Sequence, residues 1–224
     1  MKNELEQLKN KIYQIGQEMV NCSLNCNGIE NKKKIGAIPR GLYLETEKRT
    51  KEKGIIVVGM NPGKIDNDPQ EYKDILKEKC SYQNYIESFK KNILHKSPYF
   101  ERTREILDIL NFTGPILWTE IVKCQSEENG KLDFPTIRNC AHKFLKNEVA
   151  LVDYPILALG DKAYPTCLLI FPERKIIGSP HPSGANPRFH RFLKNLKGKQ
   201  LKIKQKIGSL EGNESIHLKE LIEC

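Results

Sequence analysis

Four short runs of apolar and β-branched residues stand out along an otherwise polar chain. They are GIIVVGM (54–60), PILWTEIV (115–122), YPILALG (154–160) and KIIGSPH (175–181). Runs of this length with few polar positions are typical of strands that are buried on both faces of a sheet. We therefore predict four strands in the protein core.

Helical periodicity fills the spaces between these runs. Apolar residues recur every three or four positions over roughly 70–92, 99–111, 134–152 and 161–170, the last two beginning near Pro135 and Asp161. Strand and helix therefore alternate, which predicts a parallel sheet with helices on both faces. The expected fold class is α/β, a three-layer α/β/α sandwich with a central, mainly parallel four-stranded sheet.

The two ends of the chain follow other patterns. The first nineteen residues mix charged and apolar positions as an amphipathic helix does, whereas 24–53 are polar and basic, as in a loop with at most a short strand. Residues 194–208 are cationic with some alternation, and 214–223 fit a short closing helix. The pattern leaves open whether this tail extends a DNA-binding face or is a solvated strand and helix.

Charge and composition narrow the function classes. The formal net charge is +9, which favours a polyanionic partner but is equally compatible with a lysine-rich solvated surface. The chain has no run near the roughly 18 apolar residues of a membrane span, and its N-terminus lacks the apolar centre of a secretory signal. We expect a cytoplasmic, monomeric protein with no membrane partner.

Five short motifs resemble the uracil-DNA glycosylase superfamily. VVGMNPG (57–63) and SPHPSGANP (179–187) resemble its two active-site motifs, in wording closest to the single-strand-selective monofunctional branch. Similar to the iron-sulfur branch, often called family four, are SPYFERTREILDIL (97–110), IVKC (121–124) and ILALGDKAY (156–164). The resemblance covers about residues 22–193 and implies one glycosylase-like domain over 1–224, with a basic extension at 194–224.

Four of the seven cysteines match the layout of the iron-sulfur branch. Cys22 and Cys26 form a close pair, and Cys124 and Cys140 form a wider one. The resemblance implies that these four thiolates hold a structural 4Fe-4S cluster, although the branch's close pair usually has two intervening residues and this one has three. Tetrahedral zinc is the lesser alternative. We predict that Cys167, in an apolar helix, serves packing.

The resemblance implies a repair enzyme that hydrolyses the N-glycosidic bond of uracil, or of another deaminated or modified base flipped out of DNA. The leaving base gains negative charge, so its O2 needs a hydrogen-bond donor, and His181 on a proline-flanked loop suits that role. The sugar gains cationic character and needs only an oriented water, which the amide of Asn61 can supply. Asp66 or Asp68 is an alternative source of a carboxylate, and both also suit turns.

The base itself needs a binding surface. The resemblance assigns Gly59 and Met60 to the backbone that approaches the base, and Tyr99 to the aromatic that stacks on it, with Phe100 as the substitute. Glu120 stands where the iron-sulfur branch has an asparagine that reads uracil, so the preferred base stays open. Thr119 shares that task if the register differs by one.

The loop after the last strand is expected to contact DNA. Arg188 or Phe189 would enter the space that the base vacates, while Ser183 grips neighbouring phosphates. The remaining expected DNA contacts are Asn186 and Arg191. Two other functions remain open at this point: a noncatalytic iron-sulfur DNA-binding protein on the same fold, and an enzyme for hypoxanthine, xanthine or another altered base.

Overall fold

The structure is a computed structural model that describes most of the chain. The described residues are 2–47, 49–50, 52, 54–64, 68–77, 80–127, 131–182 and 187–223.

The first half of the chain runs from an N-terminal helix to the second central strand. Its elements are α1 (Lys2–Val20), β1 (Ile29–Glu30), a 3-10 turn (Lys33–Ile35), β2 (Tyr43–Glu45), β3 (Ile55–Gly59), α2 (Gln70–Leu76), α3 (Tyr82–Phe89), a π-helical turn (Lys90–Leu94), α4 (Pro98–Ile109) and β4 (Ile116–Glu120). The amphipathic N-terminal helix is confirmed.

The second half continues the alternation of strand and helix. Its elements are β5 (Gln125–Ser126), α5 (Phe134–Cys140), a π-helical turn (Ala141–Leu145), α6 (Lys146–Val149), β6 (Ile156–Leu159), α7 (Ala163–Ile170), β7 (Ile176–Ser179), α8 (Pro187–Gly198), α9 (Gln200–Ser209), β8 (Ser215–His217) and α10 (Leu218–Glu223).

The predicted fold class is confirmed. A mainly parallel central sheet, flanked by helices, has the strand order β2-β4-β3-β6-β7-β8. The four predicted strands form its centre, and the sequence pattern missed β2 as a sheet member and β8 altogether, so the sheet has six strands instead of four. Each added strand has only three residues and lies at an edge, where one short strand leaves little periodicity to detect.

The register of three neighbouring strands fixes one edge of the sheet. β3, β6 and β7 are parallel, and Val58, Ala158 and Gly178 lie in line across them. Their carboxyl ends therefore meet at the same edge. Because adjacent strands are about 4.8 Å apart, Gly59 and Ser179 end their strands roughly 10 Å apart, with β6 between them.

Two helix predictions need correction. The single pattern over 70–92 is two helices, α2 and α3, and the cationic stretch at 194–208 is helical throughout except at Lys199. Ile203 and Ile207 form the buried side of α9. Leu201 and Gln205 would share their face in a strand but are exposed, so the apolar spacing has the helical period.

The chain folds into two compact units, each made of three stretches. Unit 1 is Met1–Leu44, Met60–Lys96 and Trp118–Asp153, and unit 2 is Glu45–Gly59, Ser97–Leu117 and Tyr154–Cys224. No helix among the described residues is both long and apolar enough to cross a membrane.

The core of unit 1 is built from helices and aromatic rings. α1 packs on α3 and on α6, and Tyr82, Tyr85 and Phe89 stack along α3 with ring centroids 6.0 and 5.6 Å apart. A Cβ at Gly16 of α1 would lie 2.3 Å from the Tyr82 ring. The glycine therefore permits the close approach of α1 and α3.

Unit 2 is built around apolar strands. Every residue of β3, β6 and β7 is buried, α7 packs on β6 and β7, and α8 packs on α4, α9 and α10. Cys167 in α7 is fully buried, which agrees with the predicted packing role. This burial on both faces explains why the strands of unit 2 were readable as continuous apolar runs.

Candidate functional site

In unit 1, the loop that follows β3 carries Asn61. The loop is held in place by a hydrogen bond from the Val122 backbone N–H to the Met60 carbonyl, 2.9 Å long. Asn61 Nδ2 donates to Pro62 O at 3.2 Å and to Ser126 Oγ at 3.1 Å. Both bonds use the amide nitrogen, so the carbonyl oxygen Oδ1 is the atom suited to accept a hydrogen bond from a water.

The Arg40 side chain holds the same loop through a hydrogen bond to Gly63. Its side chain is 4% exposed, and Nη2 donates to Gly63 O at 2.6 Å and to Gln125 Oε1 at 3.1 Å. Gln125 in turn donates to Glu30 at 2.7 Å. Arg40 therefore links the Asn61 loop to the ribbon that β1 and β5 form, and sequence reasoning did not single it out.

Glu120 ends β4 beside this loop. A Cβ at Gly41 would lie 2.7 Å from Glu120 Cγ and 3.8 Å from Pro62 Cγ, and Gly41 has φ +112°. Glu120 Oε2 is buried and takes no hydrogen bond from the residues that the structure describes. Burial raises the pKa of Glu120 to about 8, so this carboxyl is mostly neutral at pH 7.

Thr119, the alternative to Glu120, faces the other way. It is buried and its Oγ1 contacts Glu148 and accepts from Lys123 Nζ at 2.6 Å. Because successive side chains of a strand point to opposite faces, Thr119 lies inside the unit and Glu120 is the residue that can meet a ligand.

A buried ion pair supports the end of β4. Lys123 Nζ donates to Glu148 Oε2 at 2.6 Å and to Glu120 O at 2.7 Å, besides its bond to Thr119. The Lys123 and Glu148 side chains are 1% and 0% exposed. All three ammonium donors are thus occupied inside the protein, which makes Lys123 a structural residue of the core.

The four candidate cluster ligands all belong to unit 1. β1 pairs antiparallel with β5, with Ile29 opposite Ser126, so the segment after Cys26 lies against the segment after Cys124. Thr136 Oγ1 donates to Asn27 O at 3.0 Å, which ties the same N-terminal segment to α5, where Cys140 is the last residue. The two cysteine pairs are therefore brought together by polar contacts between distant segments.

Electrostatic coupling indicates that the four thiols are neighbours. Burial, followed by the nearby thiols of Cys140, Cys22 and Cys26, raises the pKa of Cys124 to about 12. The Lys123 backbone N–H donates to Cys140 Sγ at 3.2 Å, and Lys143 Nζ lies 3.7 Å from Cys22 Sγ. A cavity of about 460 Å³ is lined by residues 21–26 and 29–32, which include the close cysteine pair.

Two kinds of metal site differ in the sulfur spacing that they require. Within the described ranges, no three Cys, His, Asp or Glu side chains are close enough together to hold one metal ion. Four Zn–S bonds of about 2.3 Å would require the sulfurs to lie roughly 3.8 Å apart. A four-iron cluster binds one thiolate per iron and therefore accepts a wider set of ligands.

In unit 2, His181 follows β7 by two residues and lies against Tyr99. Their ring centroids are 5.4 Å apart, and the Tyr99 ring is 5.0 Å from that of Phe100. His181 keeps exposed surface, but the surrounding protein atoms lower its pKa from the usual value. The imidazole is therefore neutral at pH 7 and still carries one N–H donor.

The turn after β6 makes room for His181. Gly160 has φ +96°, its N–H donates to Ser179 O at 2.7 Å, and a Cβ there would lie 3.3 Å from His181 Cβ. A second contact fixes the histidine loop from the other side, because Arg102 Nη1 donates to Pro182 O at 3.3 Å. Neither Gly160 nor Arg102 was a sequence candidate.

The prediction that Phe189 enters DNA is wrong. Phe189 is 1% exposed, its ring centroid is 5.8 Å from that of Phe192, and the Arg102 guanidinium lies 5.9 Å from it. The residue belongs to the buried side of α8, since positions 189, 192 and 193 share one helical face. An aromatic residue in a basic stretch gives no local signal of which helix side is buried.

The other expected DNA contacts are only partly described. Ser183 and Asn186 lie outside the described residues, as does the Arg188 side chain, although the Arg188 backbone is in α8. Arg191 is exposed on α8. It thus remains a candidate for contact with phosphate.

No protein-family model matches the chain, and no curated protein matches it.

Proposed function

We propose that this protein is an iron-sulfur DNA glycosylase that removes uracil, or another deaminated base, from DNA and leaves an abasic site. The observation that carries the proposal is the pairing of Tyr99 with a neutral His181 just past the carboxyl end of β7. Ligands of open α/β sheets bind outside the carboxyl ends of the strands, and an aromatic ring beside a neutral imidazole suits a flipped base.

His181 would stabilise the departing base. When the N-glycosidic bond breaks, the bonding electrons leave with the base, and negative charge grows on its carbonyl oxygens. A neutral imidazole N–H that donates to O2 gains strength as this charge grows, so it favours the transition state over the bound substrate. The proline-flanked loop and the Arg102 contact to Pro182 would keep that donor in place.

Asn61 would orient the attacking water. Its amide nitrogen is already bonded to Pro62 and Ser126, which fixes the direction of Oδ1. A sugar with cationic character needs only a weak nucleophile, so a carboxamide that positions water is sufficient without a general base. The water adds to C1′ and releases its proton to solvent or to the departing base anion.

Cys22, Cys26, Cys124 and Cys140 would hold a 4Fe-4S cluster. The electrostatic coupling of Cys124 to the other three thiols and the backbone N–H donated to Cys140 Sγ support this group, with a tetrahedral zinc ion as the lesser alternative. The cluster would supply four metal–sulfur links that join the N-terminal segment to the β4–α5 region. Its proposed role is structural.

The DNA partner is supported by charge. Residues 187–210 contain eight lysines and arginines and no acidic residue, and Arg191, Lys194, Lys202 and Lys206 are exposed there. Such residues gain affinity by releasing counterions from phosphates. The basic C-terminal helices would thus add contacts to the DNA backbone.

The test is base release from oligonucleotides that contain uracil, hypoxanthine or xanthine, both single-stranded and duplex. We expect abasic product from the wild-type protein, and a loss of about a hundredfold or more in rate for His181→Ala and for Asn61→Ala. His95→Ala, at an exposed position of unit 1, is the control and should keep the wild-type rate.

Two results would contradict the proposal. If the protein binds these oligonucleotides but releases no base from any of them, the noncatalytic DNA-binding alternative is correct. If base is released but His181→Ala and Asn61→Ala keep the wild-type rate, the enzyme uses a different site.

A further inference from the structure

Glu120 carries a polar atom that the protein leaves unsatisfied. Its Oε2 is buried, yet no described residue donates a hydrogen bond to it. Buried polar atoms are almost always paired, because an unpaired one forfeits its hydration without compensation. A hydrogen bond from a ligand would complete the bonding of this oxygen beside the Asn61 loop.

The backbone at Gly41 adopts a conformation that favours glycine, and this leaves space for the Glu120 side chain. Gly41 has φ +112°, and any Cβ there would lie 2.7 Å from Glu120 Cγ. The Gly41 N–H is held by Tyr85 Oη at 3.1 Å. The glycine and its anchor thus fix the position of the carboxyl group at the end of β4.

The charged groups that face Glu120 are engaged elsewhere. Lys123 and Arg40 favour its ionised form, whereas Glu148 opposes it, and the Tyr85 hydroxyl is also nearby. Lys123 Nζ is fully occupied by Thr119, Glu148 and the Glu120 carbonyl. Arg40 is occupied by Ile38, Gly63 and Gln125. Burial is consequently the largest influence on the carboxyl and raises its pKa to about 8.

We propose that Glu120 reads the base as a neutral carboxylic acid and selects bases with a lactam edge, that is, an N–H beside a C=O. This inference rests on the proposed function. The acid offers a donor O–H beside an acceptor C=O. Its C=O accepts from N3–H of uracil or N1–H of hypoxanthine, and its O–H donates to the neighbouring O4 or O6.

The ionised form could not do this. A carboxylate has no donor, so it would accept from the ring N–H but repel the adjacent carbonyl oxygen. In the transition state the lactam oxygen gains negative charge, so the hydrogen bond that the acid O–H donates to it strengthens there. The exocyclic amino group of cytosine takes up no such charge, which places cytosine below the lactam bases as a substrate.

The decisive experiment is the pH dependence of base release from a uracil oligonucleotide under single-turnover conditions. The wild-type rate should fall as pH rises through about 8, because the carboxyl then loses its proton. Glu120→Gln should keep uracil release and lose this alkaline decline, since an amide offers a donor and an acceptor at every pH. Glu120→Ala should be roughly ten- to a hundredfold slower.

Glu127→Gln is the matched control. Glu127 is an exposed carboxylate of the same unit, and this variant should retain the alkaline decline. The inference is overturned if Glu120→Gln declines as the wild type does, if it is as slow as Glu120→Ala, or if cytosine is released faster than uracil and hypoxanthine.

Failure of the proposed function gives a different result. In that case the wild-type protein releases no base at any pH, and binding of free uracil is then measured by calorimetry at pH 7 and pH 9. Weaker wild-type binding at pH 9, with Glu120→Gln unchanged, supports the role of Glu120 as a lactam reader. Equal wild-type binding at both pH values, or no binding, rejects it.

Discussion

The two units of this protein are stabilised in different ways. Unit 2 is centred on β3, β6 and β7, whose residues are all buried and mostly aliphatic. Unit 1 buries more charged and polar residues, eight among the described residues against four in unit 2, together with two of the four candidate metal ligands. Its buried polar residues are Arg40, Ser88, Asn92, Thr119, Lys123, Gln125, Thr136 and Glu148.

The two kinds of core should therefore differ in how well they tolerate substitution. Apolar burial is non-directional and tolerates small rearrangement, whereas each buried charge of unit 1 needs its own partner. Arg40 donates a hydrogen bond to the Asn61 loop, and Lys123 donates one to the end of β4. Unit 1 therefore places its candidate chemistry on a network that depends on every member.

The largest expected effect is on the cysteines. Cys124→Ser should remove bound iron, about four atoms per chain if the cluster is present, and should abolish hydrogen-exchange protection in unit 1 before that of the unit 2 strands. Iron analysis and exchange mass spectrometry measure both. Cys80→Ser should retain iron, because Cys80 is outside the four-thiol group. Full iron content in Cys124→Ser would disprove the ligand assignment.

The next effect is a pH-dependent change in the free energy of unfolding. Glu120 has a raised pKa of about 8 against an ordinary value of 4.5, so the folded state binds the extra proton between these pH values. Stability from this group is complete below pH 4.5 and is lost as pH rises towards 8, by at most about 5 kcal/mol. Urea unfolding should show that Glu120→Gln gains stability over the wild type with rising pH. A constant difference would mean that the Glu120 pKa is unshifted.

The buried ion pair gives a direct comparison with the apolar strands. Lys123→Met should lower the free energy of unfolding by about 3 to 5 kcal/mol, because it leaves the Glu148 carboxylate buried and unpaired. Leu157→Ala in β6 should cost about 2 to 5 kcal/mol through a cavity.

Rescue distinguishes these two mechanisms. Adding Glu148→Met to Lys123→Met should recover most of the loss in urea unfolding, because both charges are then gone. The same second change should add to Leu157→Ala without compensation. Without recovery in the first case, the buried pair would not explain the destabilisation.

The smallest effect on stability is expected in the turn after β6. Gly160→Ala should cost about 1 to 2 kcal/mol, since φ +96° disfavours L side chains, and should slow base release about ten- to a hundredfold by displacing His181. Gly208→Ala in α9, where a Cβ meets nothing within 4 Å, should be neutral or slightly stabilising. Thermal unfolding and single-turnover rates test both. An unchanged rate in Gly160→Ala would show that His181 tolerates the added methyl group.

Prediction from the sequence succeeded best for elements whose burial shows directly in a continuous run of residues. The strands of unit 2 were predicted because both of their faces are covered, which leaves unbroken apolar runs such as ILAL in β6. The same reasoning failed for Phe189, since an aromatic among basic residues has the same composition whether its helix side is buried or exposed. β8 was missed because three residues hold too little periodicity.

Only some residues of the candidate site could be proposed from the sequence. Asn61, His181 and the four cysteines were proposed from motif and spacing, and their roles stay predictions. The structure does place the Tyr99 and His181 rings side by side. Arg40 was not identified, because an isolated arginine in a basic loop has no local signal for burial. Its role depends on Gly63 and Gln125, which are distant in the chain.

The sequence by itself determined the α/β fold class, the central strands and the side chains available for chemistry, because these depend on local periodicity and residue type. The tertiary structure decided that Glu120 Oε2 is buried without a hydrogen-bond partner among the described residues, that Phe189 is buried and that β1 pairs with β5 between the two cysteine-bearing segments. The physical reason is that burial, pKa and hydrogen-bond satisfaction are set by atoms from distant segments, whose arrangement no single stretch of sequence contains.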